Sequence, residues 1–119
     1  MESGYKKLVL WKETKTLVLL IYKITEYFPK SEEFGLKGQM RRAAVSILSQ
    51  IAEGWLRKSK KDKLHFLEIA LGSLLEVEAQ ADVAKEIGYI NEKDYLIFDS
   101  QRAKVSYLLF RYSSKIKEV

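Results

Sequence analysis

The chain has no cysteine and a single histidine, His65. The first absence removes disulfides, thiol nucleophiles and thiolate metal sites; the second removes any histidine cluster that could hold a metal. One proline and six glycines leave few breaks, which suits long helices rather than a loop-rich or strand-rich fold. No apolar run is long. Leu17 to Tyr22 is the longest and falls far short of the roughly 20 residues needed to span a bilayer. The first residues lack the apolar core and cleavage site of a signal peptide. A cytoplasmic protein without metal or cofactor is the expectation.

Charge is what the chain has in abundance. Lysine and arginine number 21 against 16 acidic residues, giving a net charge of +5 and a pI near 9.3. Such a balance favours an acidic partner. At 119 residues the chain is expected to form one domain, long enough for a core without covalent staples.

The organising stretch is Gln39 to Trp55. Projected at about 100° per residue, Met40, Ala44, Ile47, Ile51 and Trp55 form one side, flanked by Ala43, Val45, Leu48 and Ala52. Gln39, Arg42, Ser46, Ser49 and Glu53 fall on one narrow polar stripe. A helix apolar nearly all round is a buried one, and its polar stripe is expected to meet polar partners.

Three further helices flank it. Leu10, Thr14, Leu17, Ile21, Ile24 and Phe28 recur in steps of three and four and predict a helix over 7–27, closed by Phe28-Pro29. The central helix spans 37–55. Ser59 with Asp62 three residues on marks the start of a third helix over 60–86. Phe66, Ile69, Ala70, Ser73, Val77, Ala81, Ala84 and Ile87 line one of its sides. Leu64, Leu67, Leu71, Leu74 and Leu75 make a second side in its first half only. That extra face, together with Trp55, predicts contact with other copies of the chain. Gly72 costs up to about 1 kcal/mol in mid-helix, so close helix approach is expected there. Gly88 ends this helix, and Asn91 with Asp94 starts a fourth over 92–116. Its stripe, Tyr95, Phe98, Val105, Leu109, Tyr112 and Ile116, is interrupted by Arg102. Four long helices joined by short connections predict an all-α, up-down-up-down antiparallel bundle.

The run Gln39-Met40-Arg41-Arg42-Ala43-Ala44-Val45-Ser46-Ile47, followed by Ile51-Ala52-Glu53-Gly54, resembles the signature of the four-helix-bundle proteins encoded in intervening sequences of bacterial 23S rRNA genes. That family is similar to the accessory variability determinants of diversity-generating retroelements. Leu10-Trp11, Phe28-Pro29, Phe34-Gly35-Leu36 and Ile69 to Glu76 extend the likeness in the same order along nearly the whole chain. Gln50 departs from the pattern, since the family usually places asparagine before Ile-Ala-Glu-Gly; both are amides. The resemblance implies a homopentameric barrel, and, through the retroelement relatives, engagement of a reverse transcriptase and its RNA.

Bundle topology gathers cations at one end, where the first and third helices begin and the second and fourth finish. Lys6, Lys7, Lys12 and Lys15 meet Arg57, Lys58, Lys60, Lys61 and Lys63 there, with Arg111, Lys115 and Lys117. Glu2, Glu13, Asp62, Glu118 and the nearby Glu53 oppose them. Phosphate-backbone binding is the chemistry such a pole suits, with Lys6, Lys7, Arg57, Lys58, Lys60, Lys61, Lys63, Arg111 and Lys115 as contacts; solvated helix faces alone would also place lysines here. Arg42, Ser46, Glu53, Glu76 and Arg102 are expected to form a structural polar network, Glu53 with Arg102 and Arg42 with Glu76 or a neighbouring subunit.

Enzyme chemistry finds little support. Glu76 and Glu78 project about 200° apart on a helix and cannot share a substrate. HEPN-type ribonucleases carry an Arg-x4-6-His motif, but seven residues separate Arg57 from His65. The reading is therefore a non-enzymatic, self-associating bundle that binds RNA, DNA or a nucleic-acid-handling enzyme. A protein scaffold that ignores nucleic acid is the alternative from another class.

Overall fold

Leu10, Thr14, Leu17 and Ile21 repeat at the helical interval, and in the computed structural model, which describes residues 4–118, they are buried on α1, Val9–Thr25. A 3₁₀ turn, Gly4–Lys7, precedes it. A second such turn, Lys30–Glu32, leads into α2, Leu36–Leu56. Helices α3, Lys60–Glu86, and α4, Glu92–Glu118, complete the chain. Each helix packs on its neighbours in a square, α1 on α2, α2 on α3, α3 on α4 and α4 on α1. The result is an antiparallel four-helix bundle 45 × 28 × 24 Å.

The ends of the helices carry the signals expected of them. Ser59 Oγ accepts a hydrogen bond from the Asp62 amide at 3.1 Å, and Asn91 Oδ1 accepts one from the Asp94 amide at 2.8 Å. Each satisfies an amide that the helix itself leaves free. Gly88 takes a φ of 88° after α3, a conformation that costs a Cβ-bearing residue energy.

Helix α1 stops at Thr25, short of Pro29. Pro29, with no N–H, cannot donate to the Thr25 carbonyl four residues before it, and α2 supplies further partners to this end. Arg41 donates from Nε to Thr25 Oγ1 at 2.9 Å, and from Nη2 to the Tyr22 carbonyl at 3.0 Å and Glu26 at 3.2 Å. Its guanidinium also lies 4.5 Å from the centre of the Tyr22 ring. One side chain thus satisfies the end of α1 from the next helix.

Met40, Ala44, Ile47 and Ile51 are wholly buried, as are Leu17, Ile21, Phe98 and Val105 from the facing helices. Full burial of each large apolar side chain contributes on the order of 1.5–3 kcal/mol. On α3 the core stripe is Leu67, Ala70, Ser73, Leu74, Val77, Ala81 and Ala84. Leu67 and Leu74, expected on the face between subunits, are only 2% and 1% exposed, whereas Ile69 and Ile87 are exposed. The fold turns α3 so that its leucine-rich half contributes to its own core.

Close approach is also displaced from its expected position. A Cβ at Gly54 would stand 3.3 Å from the Lys63 carbonyl oxygen and 3.4 Å from Phe66 Cβ, while nothing lies within 4 Å of one at Gly72. Gly54 is the glycine that lets α2 meet α3. Gly54→Val is expected to lower stability by about 1–3 kcal/mol through overpacking. Gly72→Ala should preserve stability or raise it by up to about 1 kcal/mol. Urea unfolding of the two variants checks the assignment, which fails if their order is reversed.

Candidate nucleic-acid interface

The antiparallel order brings four chain segments to one end of the bundle. Lys60 Nζ donates to the Lys117 carbonyl at 3.2 Å, joining the start of α3 to the finish of α4. Gly4 abuts the Trp55 ring closely enough that a Cβ there would stand 2.9 Å from it, joining the turn before α1 to the finish of α2. Lys63 Nζ donates to the Trp55 carbonyl at 3.0 Å and to the Gly54 carbonyl at 3.5 Å. It thereby places positive charge on the negative end of the α2 dipole.

The cations at this end divide into two groups. Arg57 pairs with Glu53 at 2.9 Å, and its guanidinium carbon lies 5.4 Å from the centre of the Phe66 ring. Arg111 donates to the Tyr107 hydroxyl at 2.8 Å, and Lys60 and Lys63 hold carbonyls as described. Lys6, Lys7, Lys58, Lys61 and Lys115 make no side-chain hydrogen bond or ion pair with the described residues. Glu2 lies outside those residues. Elsewhere on the molecule Lys37 pairs with Glu33, Arg41 with Glu26, Lys85 with Glu92 and Lys104 with Glu13, whereas Lys23, Lys30, Arg42 and Lys93 make no side-chain hydrogen bond or ion pair with the described residues.

The anticipated polar network does not form as one unit. Arg102 reaches Asp99 at 2.8 Å and Glu78 at 3.5 Å rather than Glu53, whose partner is Arg57. Burial would depress the Arg102 pKa, but the hydrogen bond and charge of Asp99, with Glu78, raise it above its ordinary value. Arg42 and Glu76 are both exposed and do not pair, because that part of the α2 stripe faces solvent. Only Ser46 turns inwards, accepting from Ser73 Oγ at 2.9 Å. Gln50 Oε1 and Gln80 Oε1 are buried without partners among the described residues. His65 is exposed, its ring edge-on to Phe66 at 5.4 Å.

The expected subunit-contact residues also separate. Leu64, Leu67 and Leu71 line a groove of about 370 Å³ with Leu109 and Phe110 of α4. Trp55 packs instead against Gly4, and Leu74 is in the core. Among the described residues no group of three or more His, Asp or Glu side chains could hold a metal. Among the same residues no helix is long and apolar enough to cross a membrane.

The sequence model of the 23S rRNA-intervening sequence protein family matches residues 6–111. The chain belongs to that family. A protein of unknown function from the S23 ribosomal protein family of Bacteroides thetaiotaomicron VPI-5482 has a similar crystal structure, with a TM-score of 0.81 and 22% sequence identity. The match covers 87% of this chain and 97% of that one; at that identity the likeness is one of fold. No curated protein matches the chain.

Within this family member, Arg41 and Gly54 are residues of the signature whose structural roles sequence reasoning missed. Arg41 was legible only as half of an Arg-Arg pair, since its targets on α1 lie far away in sequence. Glu32 is a third omission: it accepts from the Leu36 amide at 3.0 Å and from the Tyr89 hydroxyl at 3.1 Å.

That contact, then burial, raises the Tyr89 pKa above the ordinary 10.0, and burial alone raises Tyr112. The hydrogen bond to Glu92 raises Lys85 above 10.5. A raised folded-state pKa contributes stability that is complete below the unfolded value and lost as pH rises through the folded one. Thermal unfolding is therefore expected to show an alkaline loss beginning above about pH 10, and Tyr112→Phe should reduce that loss. An equal alkaline loss in wild type and variant would contradict this assignment.

Proposed function

We propose that this protein is a non-enzymatic, self-associating bundle that binds nucleic acid through its basic pole. The observation that carries the reading is the excess of cations over carboxylates at that end, among them Lys6, Lys7, Lys58, Lys61 and Lys115, which make no side-chain hydrogen bond or ion pair with the described residues. Positive charge at the finishes of α2 and α4 is favoured by their dipoles. Lys6, Lys7 and Lys61 stand at the opposite kind of terminus, before or within the first turns of α1 and α3, where the dipole disfavours them. They have no anionic partner among the described residues. An external polyanion accounts for them, and a phosphate backbone does so without base recognition.

Family membership supports the same direction, since the genes that give the family its name lie within 23S rRNA sequences. A reverse transcriptase and its RNA are the specific partner that the retroelement likeness proposes. Self-association is supported by apolar surface beside the α3–α4 groove, where Leu71 is 42% and Phe110 67% exposed. A closed ring such as a pentamer would repeat the basic pole around one rim and strengthen its field.

Labelled structured RNA and duplex DNA, titrated at low and moderate salt, test the binding. Affinity is expected to fall steeply with salt, and Lys58→Glu with Lys61→Glu should lower it by at least about tenfold. Absence of binding to either ligand at low salt would turn the search to an acidic protein partner. Light scattering tests assembly independently. Wild type is expected well above the 13.8 kDa protomer, and Leu71→Asp with Phe110→Asp is expected to shift it towards that mass. A wild-type monomer at micromolar concentration would refute self-association.

A further inference from the structure

Aromatic side chains stand at both ends of the bundle, and those at the basic end include rings set beside cations. Both tryptophans of the chain are there, Trp11 in the first turn of α1 and Trp55 in the last turn of α2. Tyr5 meets Trp11 edge-on, with ring centres 5.6 Å apart. Lys15 Nζ lies 5.6 Å from the centre of the Trp11 ring, and Lys63 Nζ 6.0 Å from that of Trp55. Trp55 remains 37% exposed and its neighbour Leu56 61% exposed, although each would gain by burial. Sequence places a cation within two residues after each aromatic group: Tyr5-Lys6-Lys7, Trp11-Lys12 and Trp55-Leu56-Arg57-Lys58.

A surface that grips only duplex phosphates needs cations and has no use for exposed rings. Bases within a duplex are stacked on one another and present no free face. Unpaired bases do present one, and an aromatic ring beside a cationic track is the arrangement that holds a single strand without reading its sequence. We propose that the basic pole binds single-stranded nucleic acid, with Trp55 stacking on an unpaired base while Lys6, Lys7 and Lys58 hold the flanking phosphates. The proposal rests on the nucleic-acid reading above and specifies the form of the ligand.

The test uses the full chain with two probes, a labelled oligouridine of about twenty nucleotides and an RNA duplex of about the same length. Wild type is expected to bind the oligouridine more tightly, with quenching of tryptophan fluorescence. Trp55→Ala should weaken oligouridine binding by about tenfold or more, with duplex binding changed much less. Trp55→Phe, which keeps a stacking ring, should restore most of the affinity. Circular dichroism establishes that the variants are folded.

Equal binding of both probes, with Trp55→Ala altering neither, would overturn the single-strand proposal and leave the basic-pole reading intact. Failure of wild type to bind either probe at low salt would remove both. A Trp55→Ala variant that loses oligomeric mass but keeps oligouridine affinity would make Trp55 a contact between copies and also overturn the proposal.

Discussion

The close contact of α2 with α3 is the constraint on which the rest of the structure depends. Gly54 gives the Lys63 carbonyl and Phe66 room to approach, and Ser46 and Ser73 bond across the same seam. Small side chains at a helix contact bring the backbones together, so a short turn suffices to join the two helices. Residues 57–59 therefore span from one helix to the next at a single end of the bundle. Lys63 can then reach back to the last carbonyls of α2. The basic turn is held by packing beneath it, and its free lysines are presented from a fixed base.

The residues that identify the family are mostly those that build this scaffold. Met40, Ala44, Ile47 and Ile51 fill the core, Arg41 fastens α1 to α2, and Gly54 admits α3. Motif recognition thus reports the architecture first. The cations at the pole lie largely beyond that motif, on the turn before α1, between α2 and α3, and at the finish of α4. Their proximity is a product of topology: four segments distant in sequence share an end because the helices alternate in direction.

Much of this was legible in the sequence. The caps at Ser59 and Asn91, the left-handed Gly88 and the steps of three and four on α1 and α4 are local signals, and each fixes its own element. What escaped depends on which helix lies opposite. Leu67 and Leu74 share a stripe with Leu71, and periodicity alone cannot tell which part of a broad apolar surface faces the core. Arg102 was matched to Glu53 for want of a closer partner, while Asp99 and Glu78 were nearer once α3 and α4 were in place. Arg41 ties the last turn of α1 to α2 through contacts across 15 to 19 residues of chain, a separation that no capping rule covers.

The central claim is that nucleic acid is engaged at the end where α1 and α3 begin. The most direct measurement is an amide chemical-shift map recorded while unlabelled oligouridine is added to isotopically labelled protein. The account predicts that the shifts concentrate in residues 4–15, 54–63 and 111–118. Shifts centred instead on residues 26–35 and 86–95, at the opposite end of the bundle, would contradict it.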